Sequence, residues 1–135
     1  MIRVLLVDDH EVVRFGLGLL ISGERDLEVV GTAADGFEAV SLALQLRPDV
    51  VLMDLSMPGK DGIAAMAEVR EIAPSIGLLV LTTHGDEAMV CAALAAGADG
   101  YLLKESPVGE IVGAIRSVAV GGRPMSAVAA RVAGR

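Results

Sequence analysis

The chain has 135 residues, 53% hydrophobic and only 2% aromatic, with a net charge of −7 and a pI of about 4.7. That suits one domain with an aliphatic core and excludes disorder; the acidic balance argues against this segment gripping a nucleic-acid backbone and fits a site that wants cations, or a partner with a basic face. One cysteine excludes an intrachain disulfide, and no apolar run suits a signal peptide or a span of roughly 20 residues, so a soluble cytoplasmic protein is expected.

Val4-Leu5-Leu6-Val7 is an uninterrupted apolar run, read as a strand buried on both faces, and it ends at Asp8-Asp9. From His10 to Ser22, Val13, Leu17, Leu20 and Ile21 recur at helical spacing. Gly16 and Gly18 weaken that helix by roughly 1 kcal/mol each, which suggests close packing on a sheet. Leu27 to Thr32 is a second strand. Asp35-Gly36 opens a second helix, striped by Ala39, Leu42, Ala43 and Leu46 and stopped by Pro48. Val50-Val51-Leu52-Met53 is the third strand, with Asp54 at its end and a Met57-Pro58-Gly59 break beyond. Asp61-Gly62 starts the third helix, ended by Pro74. Ile76 to Leu81 is the fourth strand, leading into Thr82. Asp86 starts a fourth helix, closed by Gly97. Within it Cys91 reads as a small buried hydrophobe. Tyr101-Leu102-Leu103 is a short fifth strand ending at Lys104. Ser106-Pro107 reads as an N-cap and first helical residue of the fifth helix, whose stripe is Ile111, Val112, Ile115, Val118 and Ala119. Gly121-Gly122 and Pro124 end it. The tail from Met125 holds a helical turn or two.

Five strands alternating with five helices predict an α/β fold: a doubly wound five-stranded parallel sheet, flavodoxin-like order 2-1-3-4-5, with helices on both faces. In that order the first and third strands are neighbours, so Asp8, Asp9 and Asp54 converge in one crevice at the carboxyl ends. Each has a plainer use. Asp8 or Asp9 can cap a helix, Asp54 can open a turn, Thr82 can merely end a strand, and Lys104 can be a solvated charge. Together at the right strand ends they point further. Three close carboxylates repel, and a hard cation such as Mg²⁺ relieves this. A hydroxyl and an ammonium complete a cradle for a phosphoryl group, and an Asp carboxylate is a known phosphoryl acceptor. His10 and His84 flank the site without a second ligand at metal spacing and read as solvated loop or helix-start residues.

On these residues the chain resembles a response-regulator receiver domain of two-component signalling. The matching motifs are Val7-Asp8-Asp9-His10, Leu52 to Gly62, Thr82, and Gly97-Ala98-Asp99-Gly100-Tyr101-Leu102-Leu103-Lys104. The resemblance implies that Asp54 is phosphorylated by a sensor histidine kinase. It implies Mg²⁺ held by Asp9, Asp54 and the backbone carbonyl of Ser56, with Asp8 acting through water. Lys104 and Thr82 would stabilise the phosphate, and Thr82 with Tyr101 would form the switch. Such a domain catalyses only its own phosphorylation and dephosphorylation and is not otherwise an enzyme.

Glu105-Ser106-Pro107 and Gly121-Gly122-Arg123-Pro124 are most similar to the NarL/FixJ (LuxR-type) transcriptional subfamily. That implies a helix-turn-helix DNA-binding domain beyond Arg135 and a homodimer through the face of the fourth helix, fifth strand and fifth helix. Residues 1–122 are then the receiver domain, and 123–135 a linker or the start of a missing C-terminal region. A stand-alone receiver acting by protein–protein contacts is the alternative. A haloacid-dehalogenase-like phosphatase is disfavoured, because Ser56 stands where that mechanism wants a second Asp.

Overall fold

A computed structural model describes residues 1–55, 61–83 and 85–134. Five strands form one sheet: β1 (Ile2–Val7), β2 (Leu27–Ala33), β3 (Val50–Met53), β4 (Gly77–Thr82) and β5 (Gly100–Leu103). Their order is β2-β1-β3-β4-β5, and every pairing is parallel. The helices are α1 (Glu11–Ser22), α2 (Gly36–Leu46), α3 (Gly62–Ile72), α4 (Glu87–Ala95), α5 (Val108–Ala119) and a short α6 (Ala127–Ala133). The expected doubly wound α/β architecture is therefore what the chain adopts.

The apolar strands carry two cores because successive side chains point to opposite faces. Leu5, Val7, Val51, Met53, Leu78 and Val80 join α2, α3 and α4 on one side. Val4, Leu6, Val50, Leu52, Leu79 and Leu81 meet α5 and Ile21 of α1 on the other. A single buried aromatic, Tyr101, sits in the first core. Asp35, Asp61 and Asp86 each accept a hydrogen bond from the backbone N–H three residues on, fixing the starts of α2, α3 and α4.

Several local expectations are corrected. In α1 the inward line is Val13, Leu17 and Ile21, whereas Leu20 is 47% exposed. Gly16 and Gly18 are not needed for packing. A Cβ on Gly16 would meet nothing, and one on Gly18 only an ordinary contact with Leu6. Cys91 is exposed, while Val90 and Ala93 take the inward positions of α4. Residues 88–96 are all apolar or small, so no polar face sets that helix's rotation in the sequence. The fifth helix begins at Val108, capped by Pro107 rather than Ser106, because the Pro107 carbonyl accepts from Glu110 and Ile111.

The tail folds back. Gly121, at φ +89°, turns the chain, and Met125 forms an isolated parallel bridge with Tyr101 at the outer edge of β5. Helix α6 then packs on α4, with Ala129 fully buried.

Candidate functional site

The sheet register delivers the site. Val7 pairs with Met53, Met53 with Val80, and Thr82 with Leu103, so the next residues along β1, β3 and β5 emerge side by side. Backbone bonds continue past the strands. Asp8 N–H donates to the Ala33 carbonyl at 3.1 Å, Asp54 N–H to Val7 at 2.9 Å, and Lys104 N–H to Thr82 at 2.9 Å. Helix α3 approaches from behind: a Cβ on Gly62 would lie 2.5 Å from the Asp54 carbonyl oxygen, so glycine is required there.

Asp8, Asp54 and Thr82 are the buried polar or charged residues among those described. Burying two carboxylates is costly unless they are paired. Lys104 supplies the pairing, with its Nζ 2.7 Å from Asp8 Oδ2 and 3.3 Å from Asp54 Oδ2. Burial pulls this ammonium down, but the hydrogen bond to Asp8 and the charges of Asp54 and Asp8 outweigh it and hold Lys104 above its ordinary value.

Asp9 lies beside them. Its Oδ1 is a buried oxygen that makes no hydrogen bond to any described residue, although His10 Nδ1 stands 3.0 Å away. One ligand atom from each of Asp8, Asp9, His10 and Asp54 falls within a 4.8 Å cluster. An orphaned buried carboxylate oxygen in an oxygen-rich cluster matches what a hard divalent cation needs. The residues present therefore fit the expected Mg²⁺.

Asp8, Asp9, Asp54 and Lys104 are thus brought together, with the end of β4 at Thr82 alongside Lys104. Tyr101 lies three residues before Lys104 and is fully buried. Burial, and next the Asp86 charge, push its phenol up to about 12. The Ser56 carbonyl and the Met57-Pro58-Gly59 turn lie outside the described residues, as does His84.

The contacts of two residues escaped the sequence reasoning. His10 stands at the start of α1 with an exposed ring, as expected, but its contacts were not foreseen: its backbone N–H donates to Asp8 Oδ1 at 2.8 Å, and its ring contacts both neighbouring acids. Arg14 reaches back from the first turn of α1, where Nη1 donates to the Asp8 carbonyl at 2.6 Å and pins the acidic loop. A basic residue four positions after His10, one helical turn on, was the available signal. A larger open groove between α1 and β2, lined by Phe15, Leu19, Val29 and Thr32, holds no comparable cluster of acids.

The comparisons with known proteins agree with this geometry. The family model described as the response regulator receiver domain matches residues 4–116. Over 121 residues the chain is 48% identical to the transcriptional regulatory protein LiaR of Bacillus subtilis, covering 90% of this chain and 57% of LiaR. The chain thus spans little more than half the length of that relative. A LuxR-family response regulator from Aurantimonas superimposes with a TM-score of 0.91 at 40% identity, covering 98% of this chain and 95% of that one. The signal receiver domain of NarL from Mycobacterium tuberculosis gives 0.86 at 40% identity, covering 89% and 97%. With the motifs, sheet order and family match in accord, the chain belongs to the response-regulator receiver-domain family.

Proposed function

We propose that this domain is a phosphorylation-controlled switch whose acceptor is Asp54. Membership of the family implies a signalling role rather than metabolic catalysis. The observation that supports Asp54 is the arrangement of two buried carboxylates, Asp8 and Asp54, bridged by one ammonium.

In the proposed transfer a carboxylate oxygen of Asp54 attacks the phosphorus of a phosphohistidine on a sensor kinase. An O–P bond forms as the N–P bond breaks, and the leaving imidazole takes up a proton. Lys104 is placed to follow the incoming charge, since charge-assisted hydrogen bonds to phosphoryl oxygens are the strong ones. Thr82, at the neighbouring strand end, contributes a hydroxyl. Arg14 and the His10 backbone keep the Asp8-Asp9 loop in place. Asp9 and Asp54, with the Ser56 carbonyl and with Asp8 through water, would hold Mg²⁺. When bound, the ion supplies charge neutralisation for the phosphoryl oxygens. Tyr101 acts with Thr82 as the switch pair, and two copies then pair through α4, β5 and α5.

The output is transcription, through a helix-turn-helix DNA-binding domain in the longer protein. The supporting observation is the partial coverage of a transcriptional relative, LiaR. Incubating the chain with Mg²⁺ and acetyl phosphate, then weighing it intact, tests the acceptor. One phosphoryl group should appear on the native chain and none on Asp54→Asn. An equal gain in both removes Asp54 from the role.

A further inference from the structure

We propose that residues 124–133 form a docked cover over Tyr101 whose seating depends on the state of the acid pocket. This rests on Asp54 being the phosphoacceptor. The outer edge of β5 would otherwise present unpaired backbone groups, a liability in any sheet. The tail takes them up: Tyr101 N–H donates to the Pro124 carbonyl at 2.9 Å, and Ser126 N–H donates to the Tyr101 carbonyl at 2.8 Å. Gly100 lets the tail this close, since a Cβ there would stand 3.0 Å from both Pro124 Cγ and its carbonyl oxygen. The Ser126 hydroxyl caps α6 by accepting from Ala129 N–H at 3.2 Å. Ala129 is fully buried, and Met125, Val128 and Val132 pack on the core that contains Tyr101.

The seat is short and shallow. Two sheet-edge hydrogen bonds and the side chains of Met125, Val128, Ala129 and Val132 hold a segment that ends in a seven-residue helix, so this element belongs at the low end of local stability. It also sits one strand length from the site. β5 is four residues long, beginning under the tail and ending one residue before Lys104. Lys104 leans on Asp8 at 2.7 Å more closely than on Asp54 at 3.3 Å. A phosphoryl group brings a charge of about −2 to Asp54 and draws the ammonium away from Asp8. Lys104 is tied through its backbone to Thr82, so β5 has little length in which to absorb the change before Tyr101. The seat is built on β5 as it stands with Lys104 held on Asp8, and drawing Lys104 toward a charged Asp54 weakens it. While the tail is down, α4 and the β5 edge are covered. That is part of the face through which two copies are proposed to pair.

Amide hydrogen exchange followed by NMR on the full chain tests this, with and without Mg²⁺ and beryllofluoride as the phosphoryl mimic. Occupancy is read from the Asp54 and Lys104 amide resonances. Tail docking is read from the Tyr101 and Ser126 amides. The expected result is that Tyr101 and Ser126 exchange roughly tenfold faster on saturation, together, while Val51 and Leu79 in the central strands do not change. Linkage makes the effect reciprocal. Ser126→Pro removes one donor at φ −62°, an angle proline accepts, and Ala129→Glu puts a charge into the seat. Both variants should bind beryllofluoride more tightly than the native chain by about that same factor. Shifts at Asp54 and Lys104 with unchanged exchange at Tyr101 and Ser126 would overturn the coupling alone. So would native affinity in either variant once its tail amides exchange freely. No shift at Asp54 or Lys104 would instead bring down the phosphoacceptor assignment, and the coupling with it.

Discussion

The two ends of the sheet carry polar clusters of opposite design. At the amino end Arg70 is fully employed. It donates to the carbonyls of Pro74 at 2.7 Å, Ile76 at 3.1 Å and Gly97 at 2.7 Å, and to Asp99 Oδ2 at 2.6 Å. Asp99 Oδ2 also accepts from Leu78 N–H at 2.9 Å. One cation meets one anion, and the carbonyls around them are satisfied. Gly97, at φ +107°, lets the Arg70 stem pass where a Cβ would strike it. At the carboxyl end, among the described residues, three carboxylates face one ammonium, and Asp9 Oδ1 makes no hydrogen bond. A balanced, satisfied cluster holds a fold together. An unbalanced one stores free energy that a ligand can release. The contrast fits a structural role at one end and the proposed chemistry at the other.

The sharpest way to break this division is Arg70→Ala. It leaves a half-buried Asp99 without its cation, keeping only the Leu78 N–H, and three carbonyls without their donor, which should cost about 3 kcal/mol of stability in urea melts. Labelling of Asp54 by acetyl phosphate in the surviving folded protein should be unchanged. A loss of labelling with intact folding would show that the two ends are not separable.

Magnesium should act in the opposite sense. An ion that binds only the folded chain stabilises it by about 2.7 kcal/mol at a hundredfold excess over its Kd. Thermal melts with and without Mg²⁺ should show that gain in the native chain and in Arg70→Ala alike. Asp9→Asn should lose most of it, because Asp9 carries the unsatisfied oxygen.

These two clusters were not equally legible in the sequence. The carboxyl end was, because each of its residues follows a recognisable apolar strand, and parallel pairing turns that position into proximity. Asp8, Asp9, Asp54 and Lys104 could be placed before any coordinates. Arg70 could not. It lies in mid-helix, and its partners at Gly97 and Asp99 are 27 and 29 residues away, so nothing local announces the pair. Cys91 went wrong because α4 is apolar all round. The seat of the tail was invisible for a related reason: edge bonding at Tyr101 uses backbone groups, whose one mark on residue type is Gly100. His10 and Arg14 were visible as residues but lacked partners until α1 was oriented.

Alkaline titration probes the site end further. Lys104 and Tyr101 are both raised in the folded chain, so each favours folding while protonated. The unfolded chain gives up these protons first, so stability is complete below about pH 10 and falls as pH rises toward 12. With Tyr101 pushed up to about 12 from 10.0, the loss attributable to it is about 2 kcal/mol. Tyr101→Phe should flatten that part of the profile in pH-dependent urea melts. A native slope in Tyr101→Phe would mean that Lys104 alone carries the effect.

The smallest effect is the most diagnostic of an unbalanced site. Asp54→Asn keeps the side-chain shape and removes one of three clustered charges. Its ion pair with Lys104 is the longer one, at 3.3 Å, and Lys104 retains Asp8 at 2.7 Å. The relief of repulsion from Asp8 and Asp9 should therefore exceed the lost attraction. Without Mg²⁺ the variant should be more stable than the native chain by about 1 kcal/mol. Asp8→Asn should do the reverse, because it removes the close partner of a largely buried ammonium. If both substitutions destabilise equally in metal-free urea melts, the carboxylates at this end are held as tightly as Asp99 at the other. If they diverge in sign, the charge that the fold tolerates rather than needs is the one on Asp54, which is what a residue kept for chemistry should show.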